Sequence, residues 1–170
     1  DQAVESIAIC FLFGFRNPAH EERVRDICRE MLPEAAVSIS SEIAPEFREF
    51  ERTSTTVINA YLAPVVERYL DNLEGQLLAR YGDVDLRIMQ ASGGCMTTEM
   101  AKYRAVNIVN SGPAGGALAA AYVGRLTGDE QLISVDMGGT SFDVGVIDHG
   151  EPRVAPESQF EGFPVKIPIL

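Results

Sequence analysis

The residues with the clearest chemical potential lie at positions 132–147, LISVDMGGTSFDVGVI. An apolar run ends on an acid, Asp136, and a small, polar tip follows: Gly138, Gly139, Thr140 and Ser141. From Phe142 the chain resumes with the apolar–polar alternation of a strand. The pattern predicts two strands joined by a glycine loop, with Val144 and Val146 on one face. Glycines let a backbone approach an anion closely and supply unusual dihedrals. Successive amide N–H groups in such a loop make a concave anion site, and Thr140 and Ser141 add hydroxyl donors. Asp136 and Asp143 flank the tip. They suit a hydrated magnesium ion, which keeps most of its waters and needs few carboxylates. The chemistry expected here is phosphate binding beside Mg2+. The other common phosphate loops do not fit, because there is no G-x-x-x-x-G-K-[ST], no neighbouring lysine and no G-x-G-x-x-G opening a helix. The plain alternative is a hairpin whose glycine turn binds nothing.

A second segment, VNIVNSGPAGGALAAAYVGR at 106–125, precedes the hairpin. A short strand-like piece ends at Asn110-Ser111, and Pro113 stands where a helix begins. The helix is built almost wholly of alanine and glycine, so it can pack very close to another backbone. Ser111, Gly112 and Gly115 near its start are candidate contacts on the far side of a phosphate group.

Together these segments resemble the nucleotide-binding core shared by actin, sugar kinases and heat-shock chaperone ATPases. More closely, the chain resembles the hydantoinase A/5-oxoprolinase/acetone carboxylase β-subunit family. The resemblance rests on four motifs in order: ERTSTT with Asn59-Ala60-Tyr61-Leu62, MQASGG at 89–94, SGPAGG at 111–116, and DMGGTSFDV at 136–144. Two positions depart from the family pattern, Phe142 where threonine is usual and Ser92 where asparagine is usual. The resemblance implies an α/β fold: a ribonuclease-H-like (actin-like ATPase) lobe with a C-terminal β-meander carrying the phosphate-binding hairpin. It implies ATP and Mg2+ as cofactors and a cyclic amide or ketone as substrate. A second subunit of the hydantoinase B type is the implied partner. The implied reaction activates a carbonyl oxygen by phosphorylation, for hydrolysis or carboxylation. On this reading Asp136 is catalytic and Gly138, Gly139, Thr140, Ser141, Ser111, Gly112 and Gly115 hold the nucleotide. Asp136 and Asp143 hold the metal, and Arg52, Thr53, Ser92, Gly93 and Gly94 face substrate. Two alternatives stand beside it: a non-catalytic, chaperone-like nucleotide switch, towards which Phe142 leans, and a subunit-contact domain.

Composition narrows the classes. Fourteen basic against 25 acidic residues give a net charge of −11, which argues against nucleic acid as a partner, since backbone phosphates call for a basic face. Hydrophobic residues at 46% suffice for a real core. Cys10, Cys28 and Cys95 lack metal-site spacing. Cys10 and Cys28 read as core residues, and Cys95 has no evident histidine partner. His20 and His149 fall at a helix start and a turn. No secretory signal is visible, and the longest early apolar run, residues 7–13, is too short to span a bilayer. A cytoplasmic location without membrane attachment is the matching expectation. The first residue is Asp1 and the last five are KIPIL. Residues 1–170 are therefore expected to be a single domain, a central fragment of a larger hydantoinase A/oxoprolinase-type protein.

The elements that must position these groups follow from periodicity. Residues 7–13 read as a buried strand. A helix from Pro18 carries Val24, Ile27, Cys28, Met31 and Leu32 on one face. Residues 37–40 read as a short strand. From Pro45 a long helical pattern places Phe47, Phe50, Ile58, Tyr61, Val65, Tyr69, Leu73 and Leu77 on one stripe, and Pro64 is expected to kink or split it. Residues 86–89 read as a strand and 97–104 as a helix. The run at 51–56 is poor in helix formers and is not explained by apolar burial. It reads either as a polar face against another domain or as a cleft wall carrying Arg52 and Thr53.

Overall fold

The computed structural model describes residues 4–139 and 141–170. A parallel pair, β1 (Ser6–Ile9) and β2 (Ala36–Ile39), is joined through helix α1 (Ala19–Met31) in a β-α-β unit. One turn of helix, α2 (Ser40–Ile43), leads to the long helix α3 (Glu49–Tyr81). A small antiparallel pair, β3 (Ile88–Met89) and β4 (Cys95–Met96), precedes α4 (Thr98–Tyr103). Helix α5 (Ser111–Thr127) then packs on an antiparallel sheet of β5 (Leu132–Met137), β6 (Phe142–Asp148) and β7 (Glu151–Pro152). The pair β8 (Ser158–Phe160) and β9 (Phe163–Val165) ends the chain. Among the described residues no helix is long and apolar enough to cross a membrane.

Several expectations change on inspection. The strand read over residues 7–13 stops at Ile9. Phe11, Leu12 and Phe13 lie in an exposed turn, where Phe13 takes a left-handed φ of 59°. The strand-like piece at 106–110 is a 3-10 turn over Ala105–Ile108, because a short apolar run has no period to separate strand from helix. Pro64 does not split α3, which continues through it for 33 residues in all. Proline carries no N–H, so one rung of the helix is missing there.

The largest change concerns which side of α3 is inside. Much of the apolar stripe faces out: Phe50, Tyr61 and Tyr69 are each more than 60% exposed, while Ile58 and Leu73 are partly buried against the core. The buried side is Arg52, Thr55, Thr56, Asn59, Ala60, Ala63, Val66 and Leu70, so its first half is polar. Each polar group there has partners. Thr55 and Thr56 donate to the carbonyls of Glu51 and Arg52 one turn back, both at 2.7 Å. Thr55 Oγ1 also accepts the N–H of Lys166 at 2.9 Å, tying the C-terminal segment to the helix. Asn59 donates to Ser38 Oγ (2.9 Å) and to the Tyr103 carbonyl (3.0 Å), and accepts the Val106 N–H (3.0 Å). One amide thus joins β2, the end of α4 and the 3-10 turn. Further along, the α3 side is aliphatic and packs Ala63, Val66 and Leu70 against Met96, Ala101 and Ala105.

The other unexpected buried group is Glu21, in the first turn of α1 and 0% exposed. Its carboxylate accepts the Phe11 N–H (2.8 Å), the Ser41 N–H (2.8 Å) and the Ser40 hydroxyl (2.6 Å). Burial pushes its pKa up, but the donors from Ser40, Phe11 and Ser41 outweigh burial and hold it below the ordinary glutamate value of 4.5.

Replacing Asn59 by leucine would take a hydrogen bond from a buried hydroxyl, a carbonyl and an N–H. Each such group costs about 1–3 kcal/mol, so urea denaturation should show a loss of at least about 3 kcal/mol. Tyr61→Ser, two residues on and on the exposed side, should change stability by less than about 0.5 kcal/mol. The reverse order would return the buried face of α3 to its aromatic stripe.

Candidate functional site

The hairpin forms as its alternation predicts. Strands β5 and β6 pair antiparallel with Asp136 directly opposite Asp143 and Met137 opposite Phe142. The Gly138 N–H closes the tip onto the Ser141 carbonyl at 3.1 Å, so that amide serves the turn and not an anion. Ser141 Oγ donates to Asp143 Oδ2 at 2.8 Å and orients that carboxylate. Thr140 lies outside the described residues.

The two faces of the hairpin differ. One carries Ile133, Val135, Met137, Phe142, Val144 and Val146, all exposed. The other carries Ser134, Asp136, Asp143 and Gly145 towards α5. Close approach explains Gly145: a Cβ there would lie 2.5 Å from Ser134 Oγ and 3.1 Å from the Ala117 Cβ. The alanine and glycine content of α5 is what lets β6 come this near. Beyond the contact the two elements diverge around a cavity of about 320 Å³, lined by Asn110, Pro113, Gly116, Ser134, Asp136, Asp143 and Leu170 among others.

Gly116 lines this cleft, Gly112 and Gly115 precede it on α5, and Gly138 and Gly139 follow Asp136 at the hairpin tip. Gly112, Gly115, Gly116, Gly138 and Gly139 have no left-handed φ, and a Cβ on any of them would meet nothing within 4 Å. The unusual dihedrals expected of Gly138 and Gly139 are therefore absent. Neither turn geometry nor packing within these residues calls for glycine at the five positions, whereas both explain Gly93, whose φ is +86° and whose neighbours are Leu118 and Leu170.

Of the predicted site residues, the fold brings Asp136 and Asp143 together on the cavity wall, where Gly116, not among those predicted, also lies. Ser111, Gly112 and Gly115 sit in the first turn and a half of α5, outside that wall. The Ser92-Gly93-Gly94 turn, closed by the Gln90 N–H to the Gly94 carbonyl at 2.8 Å, reaches the cavity's edge through Leu170. Arg52 is a correction. It is 0% exposed and its guanidinium donates inward to Ser40 Oγ, the Glu46 carbonyl and the Phe11 carbonyl, so it does not face a cleft. Thr53, the next residue, is exposed and donates to Cys10 Sγ at 3.0 Å. Glu21 and Ser40, missed in the sequence, hold Arg52 there. Two carboxylates match what magnesium requires, and among the described residues no third His, Cys, Asp or Glu joins them.

The family model described as "Hydantoinase/oxoprolinase" matches residues 52–170, and the model of the hydantoinase/oxoprolinase N-terminal region matches residues 1–32. The chain belongs to the hydantoinase/oxoprolinase family. It is 37% identical to the caprolactamase alpha subunit of Pseudomonas jessenii over 100% of its own length and 24% of that subunit. It is 33% identical to the 5-oxoprolinase of Saccharomyces cerevisiae over 98% of its length and 13% of that enzyme. The crystal structure of the ATP-dependent caprolactamase matches with a TM-score of 0.85 at 38% identity, covering 98% of this chain and 24% of the other. Nucleotide-free acetone carboxylase, from work on ATP-dependent acetone carboxylation, matches with a TM-score of 0.83 at 33% identity over 97% and 24%. The chain thus spans a quarter or less of these family members.

Close packing requires glycine at 145 and does not require it at 138, so substitutions should separate the two. Gly145→Val should lower stability by about 1–3 kcal/mol through overpacking. Gly138→Ala should change it by less than about 0.5 kcal/mol. Thermal melts of the two variants test this, and equal losses would mean that packing alone explains both glycines.

Proposed function

We propose that residues 1–170 form a ribonuclease-H-like lobe of a longer, ATP-dependent amidohydrolase or related carboxylase, which activates a carbonyl oxygen by phosphorylation. The observation that carries this reading is a cleft between α5 and the hairpin that places Asp136 opposite Asp143 on its wall, with Gly116 lining the α5 side. Like charges directly opposite on a ladder repel, and a cation between or beside them removes that cost. The residues fit magnesium: Asp136 would hold the ion or its waters, with Asp143, oriented by Ser141, alongside. Gly138, Gly139, Thr140 and Ser141 would face phosphate oxygens, and Ser111, Gly112 and Gly115 would approach from the α5 side. When bound, ATP and magnesium supply the phosphoryl group and neutralise its charge. The chain's own part is to orient these groups and leave room for them, which is where most catalysis of phosphoryl transfer resides.

Thr53 and the Ser92-Gly93-Gly94 turn are assigned to the substrate side. The substrate class, a cyclic amide or ketone, is supported by relatives named caprolactamase, 5-oxoprolinase and acetone carboxylase. A second subunit of the hydantoinase B type is supported by relatives named as alpha, beta and gamma subunits. The apolar outer face of the hairpin suits such contacts or contacts with the rest of the polypeptide.

Asp136→Asn in the longer protein should lower kcat by about 10²–10³, the typical loss of one preorganised electrostatic contact. It should leave nucleotide affinity largely intact. In EDTA it should not destabilise the fold, because it removes one of two facing like charges. Gly139→Val should instead weaken nucleotide binding by filling the approach to phosphate. Magnesium-dependent ATP turnover, measured with caprolactam, 5-oxoproline, hydantoin and acetone, checks both. Near-normal turnover by Asp136→Asn would reduce this acid to a strand-end residue.

A further inference from the structure

The backbone of Phe11 is held in an unusual way. It lies beyond the end of β1, where among the described residues no strand pairs with it. Even so, its N–H donates to Glu21 at 2.8 Å and its carbonyl accepts from Arg52 Nη2 at 2.7 Å. Both side chains are fully buried and come from different helices. Ser40 links them, because its Oγ accepts Arg52 Nε–H at 3.1 Å and its hydroxyl proton goes to Glu21 at 2.6 Å. The loop is wrapped on this pair at two further points. A Cβ at Gly14 would collide with the Glu21 carboxylate. The Arg52 guanidinium lies 5.3 Å from the centroid of the Phe15 ring.

Burying two charges is an expensive way to hold a surface loop. An apolar pair of the same volume often gives equal or greater stability. What hydrogen-bonded charges provide instead is a fixed geometry for the groups they grip. The group fixed here is next to Cys10, whose Sγ receives the Thr53 hydroxyl at 3.0 Å, and Thr53 follows Arg52 on α3. The pair stands at the carboxyl end of parallel strand β1, the end at which open α/β sheets bind ligands.

We infer that Glu21, Ser40 and Arg52 form a positioning clamp that fixes the Cys10–Phe11 segment, and with it the Cys10–Thr53 pair, as a rigid wall against the carbonyl substrate. The clamp residues touch no substrate and act through the loop. The inference rests on the reading above that Thr53 faces the small molecule.

The test uses Glu21→Gln and Ser40→Ala in the longer protein. The second variant keeps both charges and guards against loss of folding in the first. Alkylation of Cys10 by iodoacetamide, followed by mass spectrometry with exposed Cys95 as internal reference, reports on the loop without any turnover. Loosening the clamp should raise the Cys10 rate about tenfold, as expected when a local opening becomes easier. The KM for caprolactam or 5-oxoproline should rise by about tenfold while kcat and the KM for ATP stay within about twofold, the signature of lost ground-state positioning. An unchanged Cys10 rate would overturn the clamp. A raised Cys10 rate with an unchanged substrate KM would overturn its positioning role. If the unmodified protein turned over none of the substrates while Cys10 still responded, the proposed reaction would fail and the clamp itself would be supported.

Discussion

The fold turns on a polar interior face of one helix. Over its first three turns α3 presents Arg52, Thr55, Thr56 and Asn59 to the core, all 0% exposed. Buried polar groups are tolerable only when each finds its partner. Here the partners come from every element around the helix: the β1 exit loop, β2, α2, the end of α4, the 3-10 turn and the segment after β9. Apolar packing would let those elements slide, whereas directional bonds fix their register. The aliphatic half of the helix, Ala63 to Leu70, then packs the β4–α4 layer in the ordinary way.

The candidate nucleotide cleft depends on a different constraint, which is distance. Gly145 and Ala117 bring β6 and α5 nearly into backbone contact, and Gly124 meets Leu132 at the other end of the same helix. The cleft opens beside this contact, between α5 and the Asp136–Asp143 face of the hairpin. The two aspartates project into that space from a rigid ladder. Their mutual repulsion and the bare glycines around them are costs to the chain alone, and both become advantages with a cation and an anion in place. On the opposite face, six exposed apolar residues leave the sheet with an uncovered side, far more than scattered surface hydrophobics.

How far the sequence showed this depends on the element. The hairpin was legible because its period of two is unbroken on both sides of a glycine tip, and α5 because its small residues follow a proline. The β1-α1-β2 unit and α4 were legible from their apolar runs and breakers. The buried face of α3 was not. Periodicity scores apolar residues, and the aromatic residues of this stripe, Phe50, Tyr61 and Tyr69, are exposed. Glu21 was hidden for a related reason: an acid in the first turn of a helix reads as a surface residue favoured by the helix dipole. The lack of room for a side chain at Gly14, against the Glu21 carboxylate, shows only in the structure. Arg52 stood in a motif rich in hydroxyls, and nothing in the string distinguished a cleft residue from an internal strut. The resemblance supplied the family, which the comparisons bear out, and the assignment of roles within the cleft remains the proposal argued above.

The most direct measurement is a crystal structure of the longer polypeptide with magnesium and a non-hydrolysable ATP analogue. The account predicts phosphate oxygens within hydrogen-bonding distance of the 138–141 tip and the metal, or a water bound to it, on the Asp136 carboxylate. The space above Gly112, Gly115 and Gly116 should be filled by the nucleotide. A cleft filled instead by side chains from another part of the polypeptide, with the nucleotide bound elsewhere, would show that these glycines serve domain packing and would contradict the assignment.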